Sequence, residues 1–509
     1  MGIVVYNTLT RTKEPFEPVR PGKVGIYLCG PTVYKPSHVG HAVGPVIFDA
    51  IKRYLTFRGF EVTWVVNITD VDDKLIDEAA RQNTTTFQLA ERITGDYLAA
   101  MAKLHVDGID IMPKASEHIG DIVRITKDLV DADCAYASGG DVYFDVAKDA
   151  DYGKLSNRRV EDQAGQRDLQ SGEKRNPGDF ALWKSAKPDE PDEVKFDSPW
   201  GQGRPGWHIE CSAMAQRYLG ETFDIHGGGM DLIFPHHENE VAQSETANGK
   251  PFAKYWLHHG LTRVNTKKIS KSDASPEMQA ALAKMTLHNL LGEYPAELIR
   301  FFLLSTQYRR PIEYTPEEFD SKRRGLDTFY RLFERIERVT GTSPCAETIP
   351  ALRCPVSEPR AEARADVRSS ELATACDDAF ARFTESMDDD FNTAGAIAAL
   401  FDFAGAINRF VEHNKLEVSP VEPARRDAMQ ATVWLIALAH LLGLFLDPPQ
   451  KKGAADDGLA DKAMQVLIHV RQHLRKKKDF ETADLIRNLL AERKITLEDR
   501  PDGTIWRAE

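Results

Sequence analysis

The chain has 509 residues, of which 42% are hydrophobic and 28% are charged, and its formal net charge at pH 7 is −13. A chain this long exceeds what one hydrophobic core can organise, so several domains are expected. The composition excludes extensive disorder, and the acidic balance excludes nucleic-acid binding by the whole surface while leaving room for a local basic face.

The N-terminus and the cysteines indicate the compartment. The first residues carry no apolar run of the kind that a secretory signal needs, so a cytoplasmic protein is predicted. Six cysteines in a long chain without such a signal do not indicate a disulfide framework. The longest apolar stretch, Ala431–Leu446, is short and stops at Asp447-Pro448-Pro449, which favours a buried core helix over a membrane span.

The first part of the chain alternates strands and helices. Val24–Leu28 and Glu61–Val66 are short, apolar, β-prone runs, and Val39–Phe57 between them has a helical pattern. This order predicts a βαβ unit in a parallel sheet, where ligands bind beyond the carboxyl ends of the strands. Further helices are predicted over Ala79–Leu104 and Glu117–Ala132.

The composition changes at Tyr136–Pro199, which is polar, rich in glycine, proline and charge, and contains short β-like pieces. We interpret it as an insertion, because the α/β pattern resumes near Gly206. From about Thr286 the apolar spacing becomes helical. The clearest helices are predicted over Leu298–Leu304, Phe329–Val339, Leu372–Phe383, Ile397–Val411 and Ala428–Leu446.

Two segments are typical of linkers. Ser343–Arg368 is punctuated by prolines, and Lys451–Asp457 is short and polar. The residues after the second linker predict a small unit with two helices and a hairpin. Its elements are Ala463–Leu474, Phe480–Leu490, Ile495–Glu498 and Thr504–Arg507.

The sequence His38-Val39-Gly40-His41 stands where the first predicted helix begins. His38 and His41 are three residues apart and share one helical face, and Gly40 lets a flat ligand approach the backbone. A helix N-terminus beside two imidazoles favours phosphate binding. Taken alone, the pair fits packing or surface histidines at least as well.

A second candidate for phosphate chemistry is Lys268-Ile269-Ser270-Lys271-Ser272, in a predicted loop. Two lysines around a small polar residue can clamp a polyphosphate while charge develops during transfer. Taken alone, this run is equally typical of a solvated basic loop.

A third candidate is a metal site. If Pro235 opens a helix, His236 and Glu240 lie at i and i+4 on one face. Cys211, and Cys29 at the end of the first predicted strand, can add two soft thiolates. Two cysteines, a histidine and a glutamate suit Zn²⁺.

Spacing alone leaves this assignment open. The chain has no Cys-x-x-Cys pair, and a lone cysteine is more often a small buried hydrophobe than a ligand. His237 and Glu238 are rival ligands in the same run.

Together, and in this order, HVGH and KISKS resemble the HIGH and KMSKS signature motifs of class I aminoacyl-tRNA synthetases. The two departures, Val39 and Ile269, replace one apolar residue by another. The resemblance implies that His38, His41, Lys268 and Lys271 stabilise the phosphates of ATP in the transition state, with Mg²⁺ accompanying the nucleotide.

Three further segments are similar to the cysteine-specific family within that class. They are Leu28–Thr32 (LCGPT), Gly206–Ser212 (GWHIECS) and His226–Glu240 (HGGGMDLIFPHHENE), and the likeness extends over nearly the whole chain, including Met387–Ile397. In that family the residues matching Cys29, Cys211, His236 and Glu240 hold one Zn²⁺, and the thiolate of the substrate joins them. A thiol loses its proton on binding zinc, whereas an alcohol resists, so a metal can separate cysteine from serine better than shape, which separates them by about 1–3 kcal/mol.

The same resemblance implies a substrate pocket. Trp207 and His208 are expected to line the cysteine site, Thr69 to contact the amino group, and Gly40 to contact the nucleotide. Asp231 is a candidate for the ribose of ATP or for the ammonium of cysteine. The glycines between His226 and Asp231 also fit a plain tight turn.

The chain departs from the family in two places. His259 stands where many relatives carry Asn. Asp273–Met285 extends the segment after the lysine motif by about eight residues, and it can alter the closure of that loop.

The implied fold class is α/β: a Rossmann-type parallel-sheet catalytic domain with an inserted connective segment, followed by an α-helical bundle and a small α+β C-terminal unit. The expected boundaries are 1–135 and 205–285 for the two halves of the catalytic domain, 136–204 for the insertion, 286–325 for a stem-contact region, 326–450 for a helical tRNA-binding bundle and 459–509 for an anticodon-binding unit.

The implied reaction joins cysteine to ATP as cysteinyl-adenylate and then transfers it to its tRNA, without a side-chain nucleophile. The expected partners are tRNA, cysteine and ATP, with no membrane, for a monomer. Arg471–Lys478 and Trp506 are candidates for anticodon binding by charge and stacking. A solvated helix face and a small-core residue are the respective alternatives.

Two other functions stay open from the residues. One is a related ligase that passes activated cysteine to an amino sugar, but such enzymes lack a terminal unit like Lys462–Arg507. The other is a zinc- and nucleotide-binding regulator without catalysis, against which both signature motifs argue.

Overall fold

The structure is a computed structural model that describes residues 2–158, 174–264, 267–268, 285–347, 367–419, 421–448, 459–500 and 503–508. The strands are β1 Val4–Asn7, β2 Thr12–Pro15, β3 Lys23–Leu28, β4 Glu61–Val66, β5 Ala135–Ser138, β6 Asp141–Phe144, β7 Phe180–Ser185, β8 Gly203–Pro205, β9 Phe223–Gly229, β10 Ala253–His259, β11 Thr262–Val264, β12 Lys267–Lys268, β13 Ile312–Tyr314, β14 Ile495–Arg500 and β15 Gly503–Ala508. The helices are α1 Gly40–Phe57, α2 Asp73–Arg81, α3 Thr86–Lys103, α4 Ile119–Asp131, α5 Trp207–Leu219, α6 Glu238–Asn248, α7 Leu287–Glu293, α8 Ala296–Leu304, α9 Pro316–Thr340, α10 Ser370–Asp388, α11 Thr393–His413, α12 Glu422–His440, α13 Leu459–Lys476 and α14 Phe480–Ala491.

The first half of the chain is built on a four-stranded parallel sheet with the strand order β10-β9-β3-β4. The strand β3 reads KVGIYL, and its last five residues are all buried. Such a continuous apolar run suits a strand that is covered on both faces, as in parallel sheets. Helix α1 connects β3 to β4 and α6 connects β9 to β10, so the predicted Rossmann-type α/β architecture is confirmed.

A second sheet spans the segment interpreted as an insertion and extends slightly beyond it at both ends. Strands β5, β6, β7 and β8 pair in that order, and every pairing is antiparallel. Their apolar side chains, such as Phe144 and Trp183, form a core with residues of α4 and α5, including Ile122 and Ile209. The short β-like pieces of the sequence are therefore strands of one small sheet.

Two helix predictions were wrong in their extent. The predicted helix Ala79–Leu104 is two helices, α2 and α3, because Thr85 caps the second one in a capping box with Gln88. The predicted helix Ala428–Leu446 ends at His440, where Gly443 and Phe445 adopt positive φ values of 65° and 60° and turn the chain.

The helical half packs on the parallel sheet through one continuous core. Arg300 of α8 is fully buried and ion-paired with Asp49 of α1. Its guanidinium also donates to Leu104 O at 2.8 Å and to Leu442 O at 2.8 Å. Removing one partner of such a buried pair costs about 3–5 kcal/mol, so these contacts hold the two halves together.

One helix among the described residues, Thr393–His413, is long and apolar enough by length and composition to cross a membrane. It packs on Ser370–Asp388 and Glu422–His440, and half of its most apolar stretch is buried inside the protein. A core helix of a globular protein meets the same criteria, and we describe it as one.

The final unit consists of α13, α14 and the hairpin of β14 and β15, as the pattern of the sequence predicts. Arg471 is buried and forms two hydrogen bonds with Asp499, at 2.9 and 3.1 Å. These bonds tie the first helix of the unit to its hairpin.

Candidate active site

The candidate residues gather at the carboxyl edge of the parallel sheet. Cys29 follows β3, Thr69 lies just beyond β4, and His259 is the last residue of β10. Because the strands are parallel, their carboxyl ends meet at one edge, where α/β folds place ligands.

Four side chains from three segments converge at this edge, and we call them the thiol cluster: Cys29, Cys211, His236 and Glu240. Their ligand atoms all lie within 4.8 Å of one another. Cys211 comes from α5, while His236 Nε2 lies 3.0 Å from Glu240 Oε1 across one helical turn. The predicted i, i+4 pairing is therefore present.

The local route to that pairing differs from the prediction. Pro235 does not open a regular helix: Ile233–His237 is an irregular turn in which Phe234 has non-helical dihedral angles, and α6 begins at Glu238. The turn still carries His236 onto the face of Glu240, because helical geometry resumes directly after Phe234.

The geometry of the thiol cluster fits zinc. A tetrahedral zinc ion with bonds of about 2.3 Å to sulfur and about 2.1 Å to oxygen holds two sulfurs about 3.8 Å apart and a sulfur and an oxygen about 3.6 Å apart. Cys29 Sγ lies 3.8 Å from Cys211 Sγ and 3.6 Å from Glu240 Oε1. The donor types and two of their spacings therefore match the requirements of the metal.

The charges of the cluster also favour a cation. A hydrogen bond from Cys29 lowers the pKa of the Cys211 thiol to about 6. Burial alone would raise the pKa of Glu240, but the neighbouring His226 and His236 outweigh it and lower the pKa to about 2. A thiolate and a carboxylate are thus held close together in a buried space, and Zn²⁺ prefers both as ligands.

Of the two rival ligands, Glu238 points elsewhere. Its carboxylate accepts hydrogen bonds from the backbone N–H groups of Gly153, Leu155 and Ser156, at 3.0, 3.3 and 2.6 Å. Glu238 therefore clamps a loop of the insertion onto the helix that carries Glu240.

His237 remains a rival by distance, since its Nε2 lies 3.3 Å from Cys29 Sγ. A second group that can hold a metal consists of Cys29, His226, His237 and Glu240. That group omits Cys211 and would leave its thiolate beside the cation without a bond. We therefore favour the thiol cluster.

Sequence reasoning missed the histidines that support the cluster. His226 Nε2 lies 2.8 Å from Glu240 Oε2, and His258 Nε2 lies 2.7 Å from His237 Nδ1. Both are buried, His226 in the middle of β9 and His258 next to the last residue of β10, and the position of His258 at a strand end was the available signal. Partners of this kind orient metal ligands and fix the tautomer of an imidazole.

His208 and Trp207 both contact a predicted metal ligand. The His208 Nδ1 lies 2.9 Å from His236 Nδ1, and the Trp207 ring stacks on His236 with a centroid distance of 4.2 Å. Trp207 is half-buried, whereas His208 is buried. The two residues predicted to bind substrate therefore border the thiol cluster directly.

Thr69 is held in a small polar network. Its hydroxyl donates to Glu210 Oε2 at 3.1 Å and lies 3.3 Å from Asn67 Nδ2. The side-chain oxygen of Asn67, Oδ1, in turn accepts a hydrogen bond from Gly30 N at 2.9 Å, beside Cys29. Thr69 is therefore linked to the cluster through Asn67 and Gly30, the residue next to Cys29.

The three glycines after His226 lie in β9, and not in the tight turn considered from the sequence. An added Cβ would lie 2.1 Å from Phe48 at Gly227 and 2.5 Å from the His237 ring at Gly228. Side chains are excluded there because α1 and the histidine run pack directly on the strand.

Asp231 and His259 lie on the side of the edge that faces α1. An added Cβ at Gly44 of that helix would lie 3.2 Å from His259 Nε2, and the charge of Asp231 acts on the His259 ring. His259 therefore occupies the space between the first helix and the exposed Asp231.

The histidines of the HVGH motif are neighbours, with ring centroids 4.0 Å apart. Only His41 is inside α1, and His38 precedes the helix. The space above Gly40 is taken by the His38 ring, which would lie 2.8 Å from an added Cβ, whereas the sequence suggested a ligand there.

The lysine motif is described only in part. Lys268 ends β12, which pairs antiparallel with β11, and Lys271 and most of the Asp273–Met285 extension lie outside the described residues. Met285 itself accepts a hydrogen bond from Val39 N at 3.0 Å, so the end of the extension contacts the HVGH motif.

The two C-terminal candidates have structural partners. Within Arg471–Lys478, Arg471 and Arg475 bind Asp499, while Lys476, Lys477 and Lys478 are exposed. The Trp506 indole donates to Asp461 Oδ1 at 2.8 Å.

Comparison with known proteins identifies two family models in the chain. Residues 15–324 match the model described as "tRNA synthetases class I (C) catalytic domain", and residues 382–446 match the DALR domain. The first match covers more than half of the chain.

Curated relatives match over the full length. Proteins named cysteine–tRNA ligase from Syntrophotalea carbinolica and Pelotomaculum thermopropionicum are each 44% identical, covering 100% and 99% of this chain and of the relative. The protein of that name from Thermococcus onnurineus is 42% identical over 100% of this chain and 99% of the relative.

Among solved structures, Mycobacterium tuberculosis methionyl-tRNA synthetase in complex with methionyl-adenylate is similar, with a TM-score of 0.56. It covers 82% of this chain and 90% of that chain at 15% identity, which is a likeness of fold alone.

Proposed function

The chain belongs to the cysteine–tRNA ligase family of class I aminoacyl-tRNA synthetases, and we propose how its residues carry out the ATP-dependent attachment of cysteine to tRNA. The substrates are cysteine, ATP and tRNA. The single observation that supports the division of roles is the convergence of Cys29, Cys211, His236 and Glu240 at the carboxyl edge of the sheet.

The thiol cluster holds one Zn²⁺ and selects cysteine. When bound there, the metal supplies a Lewis-acidic position that takes a thiolate and offers an alcohol or a methyl group no comparable bond. His226 keeps Glu240 oriented through the 2.8 Å contact between His226 Nε2 and Glu240 Oε2, and His208 does the same for His236. Three of the four ligands exclude water, because Cys211, His236 and Glu240 are each at most 2% exposed, while Cys29 is half-buried.

The substrate pocket borders this cluster. Trp207 closes it with its ring, and His208 lines it beside His236. Thr69 receives the amino group: its hydroxyl donates to Glu210 and accepts from Asn67 Nδ2, which leaves one lone pair of its oxygen to accept a hydrogen bond from the ammonium.

The phosphates of ATP, with Mg²⁺, bind at the N-terminus of α1. His38 and His41 lie there side by side, Gly40 lies between them, and Lys268 and Lys271 complete the charge from the lysine motif. Asp231 binds the nucleotide from the exposed end of β9. These groups stabilise charge on the α-phosphate as the carboxylate of cysteine attacks it and pyrophosphate leaves, and the terminal ribose of tRNA then displaces AMP.

The enzyme acts as a cytoplasmic monomer in this proposal. Residues 286–325 contact the tRNA stem, the bundle at 326–450 orients the molecule, and the unit at 459–509 reads the anticodon. The exposed Lys476, Lys477 and Lys478 provide charge for that contact.

Cysteine-dependent ATP–pyrophosphate exchange, combined with zinc analysis, tests the proposal. We expect about one zinc ion per chain and exchange with cysteine but not with serine. Cys211→Ser should lose the zinc and lower exchange with cysteine by at least about 100-fold. The matched control is Cys134→Ser, since that thiol is half-buried between α4 and β5 and hydrogen-bonds only to Ala132 O among the contacts described.

The outcomes separate the parts of the proposal. Equal exchange with serine, or full activity without zinc, would refute thiolate selection. Exchange without charging of tRNA would refute the attachment step while leaving the adenylate step in place.

A further inference from the structure

Three consecutive aspartates at the corner between α10 and α11 contact different parts of the catalytic half. We call Asp388, Asp389 and Asp390 the aspartate corner. They belong to Met387–Ile397, a segment that the proposed function leaves without a role. The contacts of Asp388 and Asp390 indicate that these two residues position catalytic groups without touching the substrate.

Asp390 is the centre of this corner. It is 1% exposed, has a positive φ of 62°, and accepts four hydrogen bonds. Its Oδ1 accepts from Tyr6 N and from the Tyr308 hydroxyl, each at 2.8 Å. Its Oδ2 accepts from Gln307 Nε2 at 3.0 Å and from Arg309 Nε at 2.7 Å.

Three of these donors lie in one turn, Gln307–Arg309, so Asp390 fixes that turn. This turn also fixes the chain that follows β10. Tyr308 O accepts a hydrogen bond from Gly260 N at 2.7 Å, and Leu261 O accepts one from Ile312 N at 3.1 Å. An added Cβ at Gly260 would lie 2.1 Å from Arg310 O. The two segments are therefore in the closest contact that a backbone allows.

The same path reaches the lysine motif. Strand β13, which follows the turn, pairs in parallel with β11, and β11 pairs with β12, whose last residue is Lys268. Each step is a backbone hydrogen-bonded pairing, so a shift of the turn is passed to the backbone of Lys268.

Asp388 connects the same corner to the other signature motif. Its Oδ1 accepts from the Tyr54 hydroxyl at 2.6 Å and forms an ion pair with Arg58, at the end of the helix that begins with Gly40 and His41. Asp389 contrasts with both neighbours, because its side chain is 55% exposed and pairs only with Lys13 among the described residues.

We propose that Asp390 is a positioning residue for adenylate formation, which sets the backbone of Lys268 relative to the helix of His41 by fixing the turn Gln307–Arg309. The proposal rests on the proposed function, since it assumes that both signature motifs act on ATP. A displacement of about 1 Å between groups that act together can cost about 100-fold in rate.

Asp390→Asn tests the proposal with little change of shape. An amide has one acceptor oxygen, so its N–H groups face either Gln307 Nε2 and Arg309 Nε or Tyr6 N and the Tyr308 hydroxyl. Of these four groups only the hydroxyl can reverse and accept, so either orientation leaves at least one pair of donors facing each other. We expect kcat of cysteine-dependent ATP–pyrophosphate exchange to fall about 10- to 100-fold, while KM for cysteine and the zinc content stay within about twofold because the thiol cluster does not contact the turn. Hydrogen exchange should accelerate at the amides of Gly260 and Ile312.

Asp389→Asn is the matched control and should leave kcat and both amides within about twofold of the wild type, since an exposed ion pair contributes little. Tyr308→Phe removes one of the four donors, keeps the turn and should lower kcat by about 3- to 10-fold, in line with one buried hydrogen bond. The Tyr308→Phe variant tests the proposal if Asp390→Asn does not fold.

Unchanged kcat in Asp390→Asn or, where that variant does not fold, in Tyr308→Phe would overturn the proposal. So would a loss of kcat accompanied by loss of zinc and a higher KM for cysteine, which would indicate a general structural role. A wild-type enzyme without cysteine-dependent exchange would refute the proposed function instead, and hydrogen exchange at Gly260 and Ile312 would still decide whether Asp390 fixes this path.

Discussion

The thiol cluster and the C-terminal unit differ in burial, as the different roles that we propose for them require. In the cluster, Glu240 is 0% exposed and hydrogen-bonded, and its neighbours Cys211 and His236 are each 2% exposed. In the C-terminal unit, Val466, Phe480 and Leu485 are 63%, 55% and 54% exposed. Discrimination between a thiol and a hydroxyl requires enclosed donors at fixed distances, whereas reading a large polyanion requires an open surface.

The two regions also differ in how they are held. The cluster is assembled from three segments and supported by buried histidines and by the Glu238 clamp on the insertion. The C-terminal unit, as far as the structure describes it, contacts the rest of the chain through Arg507, whose Nη2 donates to Glu334 Oε2 at 3.2 Å. Changes in the first region should therefore affect chemistry, and changes in the second should affect tRNA alone.

The largest effect is expected from Glu240→Gln. Removing the carboxylate leaves His226 and His236 without their buried anionic partner, which costs about 3–5 kcal/mol and corresponds to about 10²- to 10⁴-fold in binding or rate. Zinc content and cysteine-dependent exchange should both fall. Glu245→Gln on the same helix, which loses only the ion pair with Lys154, should retain both. Activity of Glu240→Gln within tenfold of wild type would remove the basis for the contrast between the two regions.

A smaller effect, confined to tRNA, is expected when Lys476, Lys477 and Lys478 are replaced together by Gln. Charging should show a KM for tRNA about 10-fold higher, and the dependence of tRNA binding on salt should weaken by about 0.7–0.9 in log–log slope for each phosphate that the lysines no longer neutralise. ATP–pyrophosphate exchange without tRNA should not change, because these exposed lysines lie in the C-terminal unit and not at the parallel sheet that carries the candidate active site.

A control for net charge replaces Lys103, Lys148 and Lys187, which are exposed on the catalytic half, by Gln. It should leave KM for tRNA within about twofold. An equal rise in both triple variants would show that overall charge, and not this surface, governs the affinity.

The smallest effect concerns acid stability of the C-terminal unit. Hydrogen bonds from Arg471, with Thr504 and the charge of Arg475, lower the pKa of Asp499 to about 2, below the ordinary value of about 3.9. A carboxyl group whose pKa is lowered by folding stabilises the folded state at pH values above its ordinary pKa. This contribution is lost as the pH falls from about 4 to about 2. Hydrogen exchange of the β14–β15 hairpin, corrected for intrinsic rates, should therefore accelerate across this window.

The Asp499→Asn variant should lack that step, since its side chain does not titrate, while keeping the pH response of the rest of the chain. Identical profiles for the two proteins would mean that the ion pair with Arg471 does not stabilise the hairpin.

Much of the fold followed from local patterns. The strands β3 and β4 and the helix α1 lie where the apolar runs and the helical period placed them, because period and burial are properties of neighbouring residues. The helix ends were less accurate, as at His440, because a turn such as that at Gly443 is decided by what the chain packs against.

The sequence by itself determined the family and which residues are proposed to carry the chemistry. HVGH, KISKS and the cysteines at positions 29 and 211 are readable from residue types and from their resemblance to a family. The spacing of His236 and Glu240 also indicated a shared face before any contact was known.

Only the tertiary structure decided which distant groups meet. It directs Glu238 to a loop of the insertion and places Asp390 on the turn Gln307–Arg309. It also sets His226 and His208 against Glu240 and His236, the predicted metal ligands. These contacts join segments far apart in the chain, and they form only when the sheet, insertion and bundle pack together. No local period encodes them, because the hydrogen bonds that satisfy a buried polar group come from whichever segment the fold brings beside it.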